Sequence, residues 1–569
     1  MNYLERYQIW CKTAPLCEGD LRKLKELSND ETEMKSCFGE ELQFGTGGIR
    51  GVMGLGTNRM NSFTVRRTAQ GLAAWLTGSG LPLRCAIGYD SRHNSRRFAE
   101  ICAVALAEAG VHVFIYRVLA PTPMVSFAVR QLGCGTGIVV SASHNASKYN
   151  GIKCYGPDGC QMTDEPASRV FRAISKTPYF IQPKLTFEEA MQRGSVEYIS
   201  DELWENYYRT VMAERLTDEP AAGLRIVYTP LHGAGNVPVR TVLARTGVEV
   251  SVVSVQEQPD GDFTTCEYPN PEMEAAMQES YRLAEQVHPD LVLGTDPDCD
   301  RCAVAVPVDG GFRKLSGNEL GCLLLDYILG TLAEKNALPR DPVAVRSIVS
   351  TPMADLIAAK YGVKMRKVLT GFKYIGGEIL KLEEKGEENR FVFGFEESCG
   401  YLKGTYARDK DAVVASMLVC DMAAKLKHEG LTLAEKMDRL YEEFGFHEAK
   451  VISVELTGPD AMEVAAKFMS DFRAEIPASL AGVPVTGYTD YLLRFQRDLS
   501  TGTEEPVDLP KSNVIVLSLG KKGSVVLRPS GTEPKIKLYL TAVDHSREAA
   551  MALLEQLDKT MHTYLPQNA

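Results

Sequence analysis

The run Leu291-Val292-Leu293 leads directly into Gly294-Thr295-Asp296-Pro297-Asp298-Cys299-Asp300-Arg301. Three carboxylates at alternating positions after a strand repel one another, and this raises at least one pKa unless a cation lies among them. Clustered oxygen ligands suit Mg²⁺ or Ca²⁺. An EF-hand is excluded, because counting from Asp296 the required glycine and glutamate positions hold Arg301 and Pro307. A solvated acidic turn remains the alternative for this stretch taken alone.

The composition is that of a soluble globular protein of several domains. A length of 569 residues predicts roughly three or four domains. Apolar residues make up 44% and charged residues 24%, which are ordinary values for such a protein. The formal net charge of −11 argues against a nucleic acid or an anionic membrane as partner. Small anionic ligands would therefore need local basic pockets.

Neither the first residues of the chain nor its cysteines indicate export. Residues 1–7 carry early charges and no apolar core, so we expect no signal peptide. No apolar run reaches about 18 residues, so we expect no membrane span. The 14 cysteines lack a repeated spacing and are expected to be reduced thiols in a cytoplasm. Cys299 and Cys302 form a Cys-x-x-Cys pair, which without a second pair is either coincidence or a zinc or redox site.

A unit of alternating strands and helices recurs three times. Its opening strands are predicted at Arg84–Tyr89, Leu224–Thr229 and Val343–Ile348. In each copy a helical pattern then ends in a Gly-Val step and a second strand, and these steps begin at Gly110, Gly247 and Gly362. Glycine at this place fits a left-handed helix C-cap, which lets the chain reverse into the next strand.

Each copy ends with an apolar strand and a polar loop. The strand–loop pairs are residues 137–140 before 141–145, 291–293 before 294–301, and 390–393 before 394–398. This alternation predicts α/β domains with largely parallel sheets. Ligands of such sheets gather at the carboxyl ends of the strands, so we expect the three loops to form one composite site.

The tail from about Ala449 differs and is predicted to be a separate α+β domain. Its predicted strands and helices are Val514–Leu517, Lys535–Leu540, Asp460–Ala474 and Arg547–His562. The loop Leu527–Lys535 places two cations, two hydroxyls and a glycine turn between strands. Such a loop can surround a phosphate, although taken alone it could be an ordinary polar hairpin loop.

Taken together in this order, the motifs resemble the α-D-phosphohexomutase superfamily, specifically its longer phosphoglucomutase/phosphopentomutase branch. The resemblance runs from Phe44–Gly51 to Arg528–Lys535, with Ser141–Lys153 similar to the phosphoserine loop. Gly294–Arg301 is similar to the metal loop and Gly394–Gly400 to the sugar-recognition loop. The resemblance implies three related α/β domains with mixed, largely parallel sheets plus a C-terminal α+β domain around a central cleft. We place these domains at residues 1–212, 213–335, 336–448 and 449–569.

The resemblance also implies an activity. A mutase of this kind interconverts glucose 1-phosphate and glucose 6-phosphate through a phosphoserine enzyme and a sugar 1,6-bisphosphate, and the Glu-Glu-Ser sequence at Glu396 resembles glucose-type enzymes. The alternative is a phosphopentomutase acting on ribose or deoxyribose 1- and 5-phosphates. Mg²⁺ is the implied cofactor, with glucose 1,6-bisphosphate as activator and intermediate. We expect a phosphosugar substrate, no nucleic-acid or membrane partner, a cytoplasmic location, and a monomer or weak homodimer.

The resemblance assigns roles residue by residue. Ser143 would carry the phosphoryl group and would bind Mg²⁺ together with Asp296, Asp298 and Asp300, since a phosphoserine beside three aspartates needs a divalent ion. His144 and Lys153 are both candidates for the general base, and Arg50 is a catalytic clamp on the phosphate. The substrate-binding candidates are Arg301, Lys373, Glu396, Ser398, Arg528, Ser530, Gly531, Thr532 and Lys535.

For two of these residues, the alternative is a structural role without a part in substrate binding. Arg301 could form a salt bridge within its own loop, and Lys373 could be a surface lysine. Two departures from the family pattern are visible, Ser141 in place of threonine and Ala146 in place of proline. The loss of proline removes loop rigidity rather than chemistry, so the pre-organisation of the loop is in doubt.

Other classes of function fit the sequence less well. A serine hydrolase is excluded because no Gly-x-Ser-x-Gly elbow surrounds Ser143. Asp296 and Asp298 after a strand could belong to an aspartyl-phosphate phosphatase, which would release free phosphate. A non-catalytic phosphosugar sensor would bind its ligand without isomerising it.

Overall fold

The computed structural model describes residues 1–45, 47–456, 461–529 and 535–566. Two compact units are present. The first comprises Met1–Leu320 and Phe372–Gly430, and the second comprises Gly321–Gly371 and Leu431–Ala569. Residues of the predicted third domain are thus divided between both units. Within the described ranges, no helix is both long and apolar enough to span a membrane.

Three α-helices precede the first strand, and the later ones lie between the strands of the first three predicted domains and on the sheet of the fourth. In chain order they are α1 (Tyr3–Thr13), α2 (Glu18–Glu26), α3 (Glu31–Phe38), α4 (Ser62–Thr77), α5 (Ser95–Glu108), α6 (Thr122–Gln131), α7 (Asp164–Lys176), α8 (Phe187–Gln192), α9 (Asp201–Ala213), α10 (Asn236–Thr246), α11 (Ser254–Glu257), α12 (Glu274–Val287), α13 (Gly317–Glu334), α14 (Met353–Lys360), α15 (Phe372–Glu383), α16 (Ala412–His428), α17 (Leu433–Phe444), α18 (Ala461–Ala474) and α19 (Arg547–Tyr564).

The strands alternate with these helices up to residue 402 and then follow one another with few interruptions. In chain order they are β1 (Gly48–Val52), β2 (Arg84–Tyr89), β3 (His112–Ile115), β4 (Thr136–Val140), β5 (Tyr149–Tyr155), β6 (Val196–Tyr198), β7 (Arg225–Thr229), β8 (Glu249–Val252), β9 (Leu291–Thr295), β10 (Cys302–Val308), β11 (Gly311–Lys314), β12 (Val343–Ser347), β13 (Lys364–Val368), β14 (Phe391–Glu396), β15 (Gly400–Leu402), β16 (Phe446–Glu455), β17 (Ser479–Leu480), β18 (Val483–Pro484), β19 (Gly487–Asp490), β20 (Phe495–Asp498), β21 (Glu504–Pro506), β22 (Ile515–Ser518), β23 (Gly523–Pro529) and β24 (Lys535–Asp544).

The first sheet of the first unit has six strands in the order β1-β5-β4-β2-β3-β6. β2 is parallel to β3 and β4, and β3 is parallel to β6. β5 is antiparallel to β1 and β4. Helices cover the buried central strands, so β2 and β4 are nearly continuous apolar runs. The loops after β2 and β4 therefore leave the same edge of the sheet.

The second sheet of the first unit has five strands in the order β11-β10-β9-β7-β8. β7 is parallel to β8 and β9, and β10 is antiparallel to β9 and β11. The acidic loop connects β9 to β10, at the carboxyl end of β9. β14 and β15, also in this unit, form an antiparallel pair whose turn holds Glu397–Cys399. The prediction of mixed, largely parallel α/β sheets is confirmed for both sheets.

The repeated unit is confirmed by backbone geometry. The three glycines of the Gly-Val steps have φ values of +81°, +84° and +69°, at Gly110, Gly247 and Gly362 respectively. A positive φ at the end of a helix is the left-handed cap that the sequence predicts. The predicted opening strands are present as β2, β7 and β12, within a residue of their expected bounds.

The second unit contains the parallel pair β12–β13 and a seven-stranded sheet, β16-β24-β23-β22-β19-β20-β21. Every neighbouring pair of this larger sheet is antiparallel, and its core includes Leu517, Leu538 and Leu557. The predicted α+β domain is confirmed. The helix predicted from Asp460 is described from Ala461 onwards, because Asp460 lies outside the described residues. The strand predicted to end at Leu540 extends four residues further, to Asp544.

Candidate active site

Ser143 lies in the loop after β4, at the edge of the first sheet. Its backbone is left-handed, with φ +52°, and its N–H donates to Ser141 Oγ at 2.7 Å. Its Oγ donates to Asp296 Oδ2 at 2.8 Å and lies 3.2 Å from His144 Nδ1. The hydroxyl predicted to carry the phosphoryl group is therefore in contact with the acidic loop of the second sheet.

The three aspartates of that loop are buried and converge. One carboxylate oxygen of each lies within 4.8 Å of the others. Asp296 Oδ1 accepts the backbone N–H groups of Asp300 and Arg301, both at 3.0 Å. The hairpin between β9 and β10 thus folds back on its first carboxylate, which brings the alternating aspartates to one side. The solvated acidic turn is excluded, because the three residues are at most 2% exposed.

Two lysines, of which Lys153 is buried and Lys410 is half-buried, hold the outer oxygens of the trio. Lys153, on β5, donates to Asp298 Oδ2 at 2.7 Å and to Asp300 Oδ2 at 3.0 Å. Lys410, in the segment before α16, lies 3.2 Å from Asp300 Oδ2. Burial opposes the charge on both ammonium groups, but the facing carboxylates outweigh it and raise the pKa of Lys153 and of Lys410. Both lysines therefore remain charged.

The remaining oxygens fit a divalent cation. Among the described residues, Asp298 Oδ1 and Asp300 Oδ1 are buried without a hydrogen-bond partner. Burial raises the pKa of Asp296, and repulsion from the other two aspartates raises it further. Three carboxylates therefore face two ammonium groups, and Asp298 Oδ1 and Asp300 Oδ1 are available to a cation. Hard oxygen donors with excess negative charge suit Mg²⁺, and the residues present fit the ion that the sequence implies.

The two candidate bases differ in their surroundings. His144 is partly buried, and its pKa lies well below the usual range because of burial and the positive charges of Arg301 and Arg50. Lys153 is an ammonium group held by two aspartates. Arg50, on β1, is exposed and donates to Asn145 Oδ1 at 3.3 Å. The serine loop is thus bordered by one neutral imidazole and two cations.

Arg301 makes a different salt bridge from the one considered above. Its Nη1 donates to Glu272 at 2.7 Å, and Glu272 belongs to the segment before α12 rather than to the loop of Arg301. The alternative of a salt bridge within its own loop is therefore wrong.

The predicted sugar-binding residues of the first unit lie at the start of α15 and at the β14–β15 turn. Lys373 is 5% exposed, and its Nζ lies 2.6 Å from Asp164 Oδ1. The surface-lysine alternative is therefore wrong. Glu396 is buried at the end of β14, where its charge contributes to the raised pKa of Lys410, and Ser398 is half-buried.

The predicted phosphate-binding residues belong to the second unit. Arg528 lies on β23 and is half-buried, and Lys535 begins β24, where its Nζ is 3.0 Å from Glu455 Oε1. Ser530, Gly531 and Thr532 lie outside the described residues. The roles of these five residues stay predictions.

The Cys-x-x-Cys pair plays no part in this arrangement. Cys299 and Cys302 are fully buried, and Cys302 Sγ lies 3.8 Å from Ser416 Oγ. Burial raises the pKa of both thiols, to about 12 for Cys302. A protonated thiol is a poor metal ligand and a poor nucleophile.

Sequence reasoning missed three groups that contact the site. Lys410 neutralises Asp300, and Thr122 Oγ1 donates to Asp298 Oδ2 at 2.9 Å. Arg92 donates to carbonyl groups of the serine loop. A signal for Arg92 was present, because Asp90-Ser91-Arg92 follows β2 at the same strand edge as Ser143. The sequence Asp409-Lys410-Asp411 after β15 is a comparable signal.

Phosphoryl transfer requires a nucleophile beside a cation site, with positive charges around the moving group. The first unit brings these features together at the carboxyl ends of α/β sheets. The fold and the site therefore define an α/β enzyme of phosphoryl transfer.

Comparison with known proteins identifies the family. Models of the phosphoglucomutase/phosphomannomutase α/β/α domains I, II and III match residues 41–179, 205–310 and 316–444, and the model of the C-terminal domain matches residues 507–559. The chain belongs to this family, within the α-D-phosphohexomutase superfamily, and is an isomerase that acts as an intramolecular phosphotransferase. The third match starts at residue 316, before the predicted boundary at 336. The four domain boundaries stay predictions.

Relatives agree with this assignment, and solved structures share the fold. A phosphoglucomutase of Staphylococcus epidermidis is 36% identical over 92% of this chain and 95% of its own length. The open form of parafusin, a phosphoglucomutase from Paramecium, superposes with a TM-score of 0.65 at 17% identity, covering 92% of this chain and 95% of its own. An N-acetylphosphoglucosamine mutase of Aspergillus fumigatus, in complex with GlcNAc-6P and magnesium, has a TM-score of 0.53 at 14% identity, covering 93% and 97%. These relatives do not favour the pentose alternative.

Proposed function

We propose that this mutase interconverts glucose 1-phosphate and glucose 6-phosphate through phospho-Ser143 and glucose 1,6-bisphosphate. The observation that carries the proposal is the 2.8 Å contact between Ser143 Oγ and Asp296 Oδ2, which joins the nucleophile to the buried carboxylates. The phosphoglucomutase relatives at 34–36% identity support the hexose substrate.

The reaction consists of two phosphoryl transfers. In the first, a sugar hydroxyl attacks the phosphorus of phospho-Ser143, the bond from phosphorus to Ser143 Oγ breaks, and the hydroxyl proton passes to a base. The released serine oxygen takes up a proton. In the second, Ser143 Oγ attacks the other phosphoryl group of the bisphosphate and loses its proton to the base, the bond from that phosphorus to the sugar oxygen breaks, and the sugar oxygen takes up a proton. Each step forms one P–O bond and breaks another, so no co-reactant is consumed.

Asp296, Asp298 and Asp300 would hold Mg²⁺ together with an oxygen of phospho-Ser143. When bound, the ion withdraws negative charge from the transferring phosphoryl group. Lys153 and Lys410 keep the outer oxygens of the trio in place, while Arg301 and Arg50 add positive charge at the serine loop. His144 is the candidate closest to Ser143 Oγ, so we assign it the proton that the serine hydroxyl loses.

The sugar is recognised by the other predicted side chains. Glu396 and Ser398 would accept and donate hydrogen bonds to neighbouring sugar hydroxyls, with Lys373 as a further contact. Arg528 and Lys535, with Ser530, Gly531 and Thr532, would bind the phosphate that is not reacting. Because the two ends of the bisphosphate exchange roles, one loop must be able to hold either phosphate.

The test is the mass and activity of matched serine variants. Wild-type protein treated with glucose 1,6-bisphosphate should gain one phosphate on the Ser143 peptide and should convert glucose 1-phosphate. Ser143→Ala should gain none and lose turnover, while Ser147→Ala, in the same loop, should behave as wild type. Ribose 1-phosphate should be a poorer substrate by kcat/KM. Full activity of Ser143→Ala, or a preference for ribose 1-phosphate, would contradict the proposal.

A further inference from the structure

One buried guanidinium, that of Arg92, binds several backbone carbonyl groups of the loop that carries Ser143. Arg92 Nη1 donates to the carbonyls of Ala146 at 2.9 Å and Tyr149 at 3.2 Å. Its Nη2 donates to the carbonyls of Ser143 and Asn145. Four carbonyl groups within seven residues therefore point at one side chain that is 3% exposed.

The loop needs such support because its backbone is strained. Ser143 has φ +52°, a region that side chains other than glycine rarely adopt and that persists only when surrounding contacts impose it. The position expected to hold a rigid proline holds Ala146, whose carbonyl is one of the four acceptors. Arg92 thus binds the loop at the residue that lacks the proline ring.

Arg92 is itself fixed from two sides. Asp90 lies 3.3 Å from its Nε and also accepts the Arg92 N–H and the Ser95 hydroxyl. From the second sheet's side, the ring of Phe263 lies over the guanidinium, with 4.9 Å between its centroid and Cζ. Phe263 is buried in a turn whose backbone is held by Asp260.

We propose that Arg92, covered by Phe263, is a positioning residue that holds Ser143 Oγ in place for phosphoryl transfer. Arg92 contacts backbone carbonyls and not the reacting atoms, so it acts through the loop. Its planar fork can reach several carbonyls at once, whereas a lysine ammonium offers one point charge. The proposal rests on the proposed function, because Ser143 is the group that it positions.

The test compares Arg92→Lys with a matched control, Arg66→Lys. Arg66 is a buried arginine of the same predicted domain that donates to the Ile181 carbonyl and pairs with Glu108, far along the chain from the serine loop. Both variants should lower the midpoint of thermal unfolding. Only Arg92→Lys should lower kcat, by about a hundredfold as expected for a small misplacement of the nucleophile, with KM for glucose 1-phosphate changed less than about threefold.

A second readout is independent of turnover. Hydrogen–deuterium exchange of the 141–149 peptide should accelerate in Arg92→Lys and stay unchanged in Arg66→Lys. If Arg92→Lys does not fold, Phe263→Leu removes the covering ring without burying a new charge, and it should accelerate exchange and lower kcat about tenfold. Wild-type kcat and exchange in folded Arg92→Lys, or in Phe263→Leu if the first does not fold, would overturn the proposal. An inactive wild type would instead contradict the proposed function.

Discussion

Asp298 is a candidate metal ligand whose orientation is set by its hydrogen bonds. Its Oδ2 is fixed by the hydroxyl of Thr122 and the ammonium of Lys153, and its Oδ1 is left without a hydrogen-bond partner among the described residues. Thr122 begins α6, and its N–H also donates to the Asp298 carbonyl at 2.9 Å. A helix of the first sheet therefore fixes one oxygen of a carboxylate of the second sheet and leaves its other oxygen towards the candidate metal position.

Thr122→Val should weaken Mg²⁺ binding about tenfold, because groups that hold a ligand typically account for 10- to 100-fold in metal affinity. The valine keeps the shape of threonine and removes only the hydroxyl. Asp300→Asn should abolish measurable binding under the same conditions, since one of three negative charges is lost. Isothermal titration with Mg²⁺ measures both effects.

Ser126→Ala is the control for this comparison. Ser126 lies on the same helix, and its buried hydroxyl donates to the Gly159 carbonyl rather than to an aspartate. Its Mg²⁺ affinity should match that of the wild type. Equal affinity in Thr122→Val and wild type would show that the hydroxyl does not orient Asp298.

The sequence patterns predicted those site residues that lie close together in one segment of the chain or directly after a predicted strand. Asp296, Asp298 and Asp300 share one hairpin, and Ser143 follows a strand whose carboxyl end lies at the expected edge. Arg92 was missed although its signal lies at the same strand edge as Ser143, whereas Lys410 and Thr122 were missed because each contacts an aspartate far away in the chain. Such contacts depend on how sheets pack against each other, which spacing within one segment does not encode.

At the level of elements, Glu383 links three segments of the first unit. Its carboxylate at the end of α15 accepts from Arg130 at the end of α6, at 2.6 Å, and from Arg408 before α16, at 2.9 Å. Hydrogen bonds from Arg130, reinforced by the charges of both arginines and opposed by burial, lower the pKa of Glu383 to about 2, from its ordinary 4.5. The ionised form therefore stabilises the fold above about pH 4.5, and this contribution is lost as the pH falls towards 2.

Glu383→Gln should lower the free energy of unfolding by about 1 kcal/mol at pH 7, since about a third of the side chain is exposed and solvent screens the pair. The difference from wild type should shrink as the pH falls from 4.5 to 3. Thermal unfolding midpoints of both proteins at pH 7, 4.5 and 3 measure this difference in stability. Glu384→Gln, the exposed neighbour, should match wild type at each pH, and a pH-independent deficit in Glu383→Gln would contradict the assignment.

Element boundaries were predicted best where a glycine ends a helix. In each of the three repeats, a glycine with positive φ lies between the helix and the next strand, because a left-handed turn strongly favours glycine. These residues are Gly110, Gly247 and Gly362. The strands β19, β20 and β21 were not foreseen. They are short, and residues of β20 and β21 are largely exposed, so the apolar alternation that reveals a strand is weak.

On the scale of the whole molecule, the nucleophile and the carboxylates come from different sheets of the first unit. Ser143 follows β4 and the aspartates follow β9, so a cation bound by both, as proposed above, would join two α/β layers. An ion that binds only the folded state stabilises it by about 2.7 kcal/mol when its concentration is about 100 times Kd. Removing Mg²⁺ should therefore lower the stability of the first unit and loosen both loops together.

Chelation with EDTA should lower the midpoint of thermal unfolding by a few degrees and abolish turnover, and added Mg²⁺ should restore both. Hydrogen–deuterium exchange should accelerate in the peptides 141–149 and 294–301, because each loses its shared ligand. β12, Val343–Ser347 in the second unit, serves as the internal reference and should exchange at an unchanged rate. Asp300→Asn should show the fast exchange with or without Mg²⁺. If chelation affected only one of the two loops, a cation bridging the serine loop and the acidic loop would be contradicted.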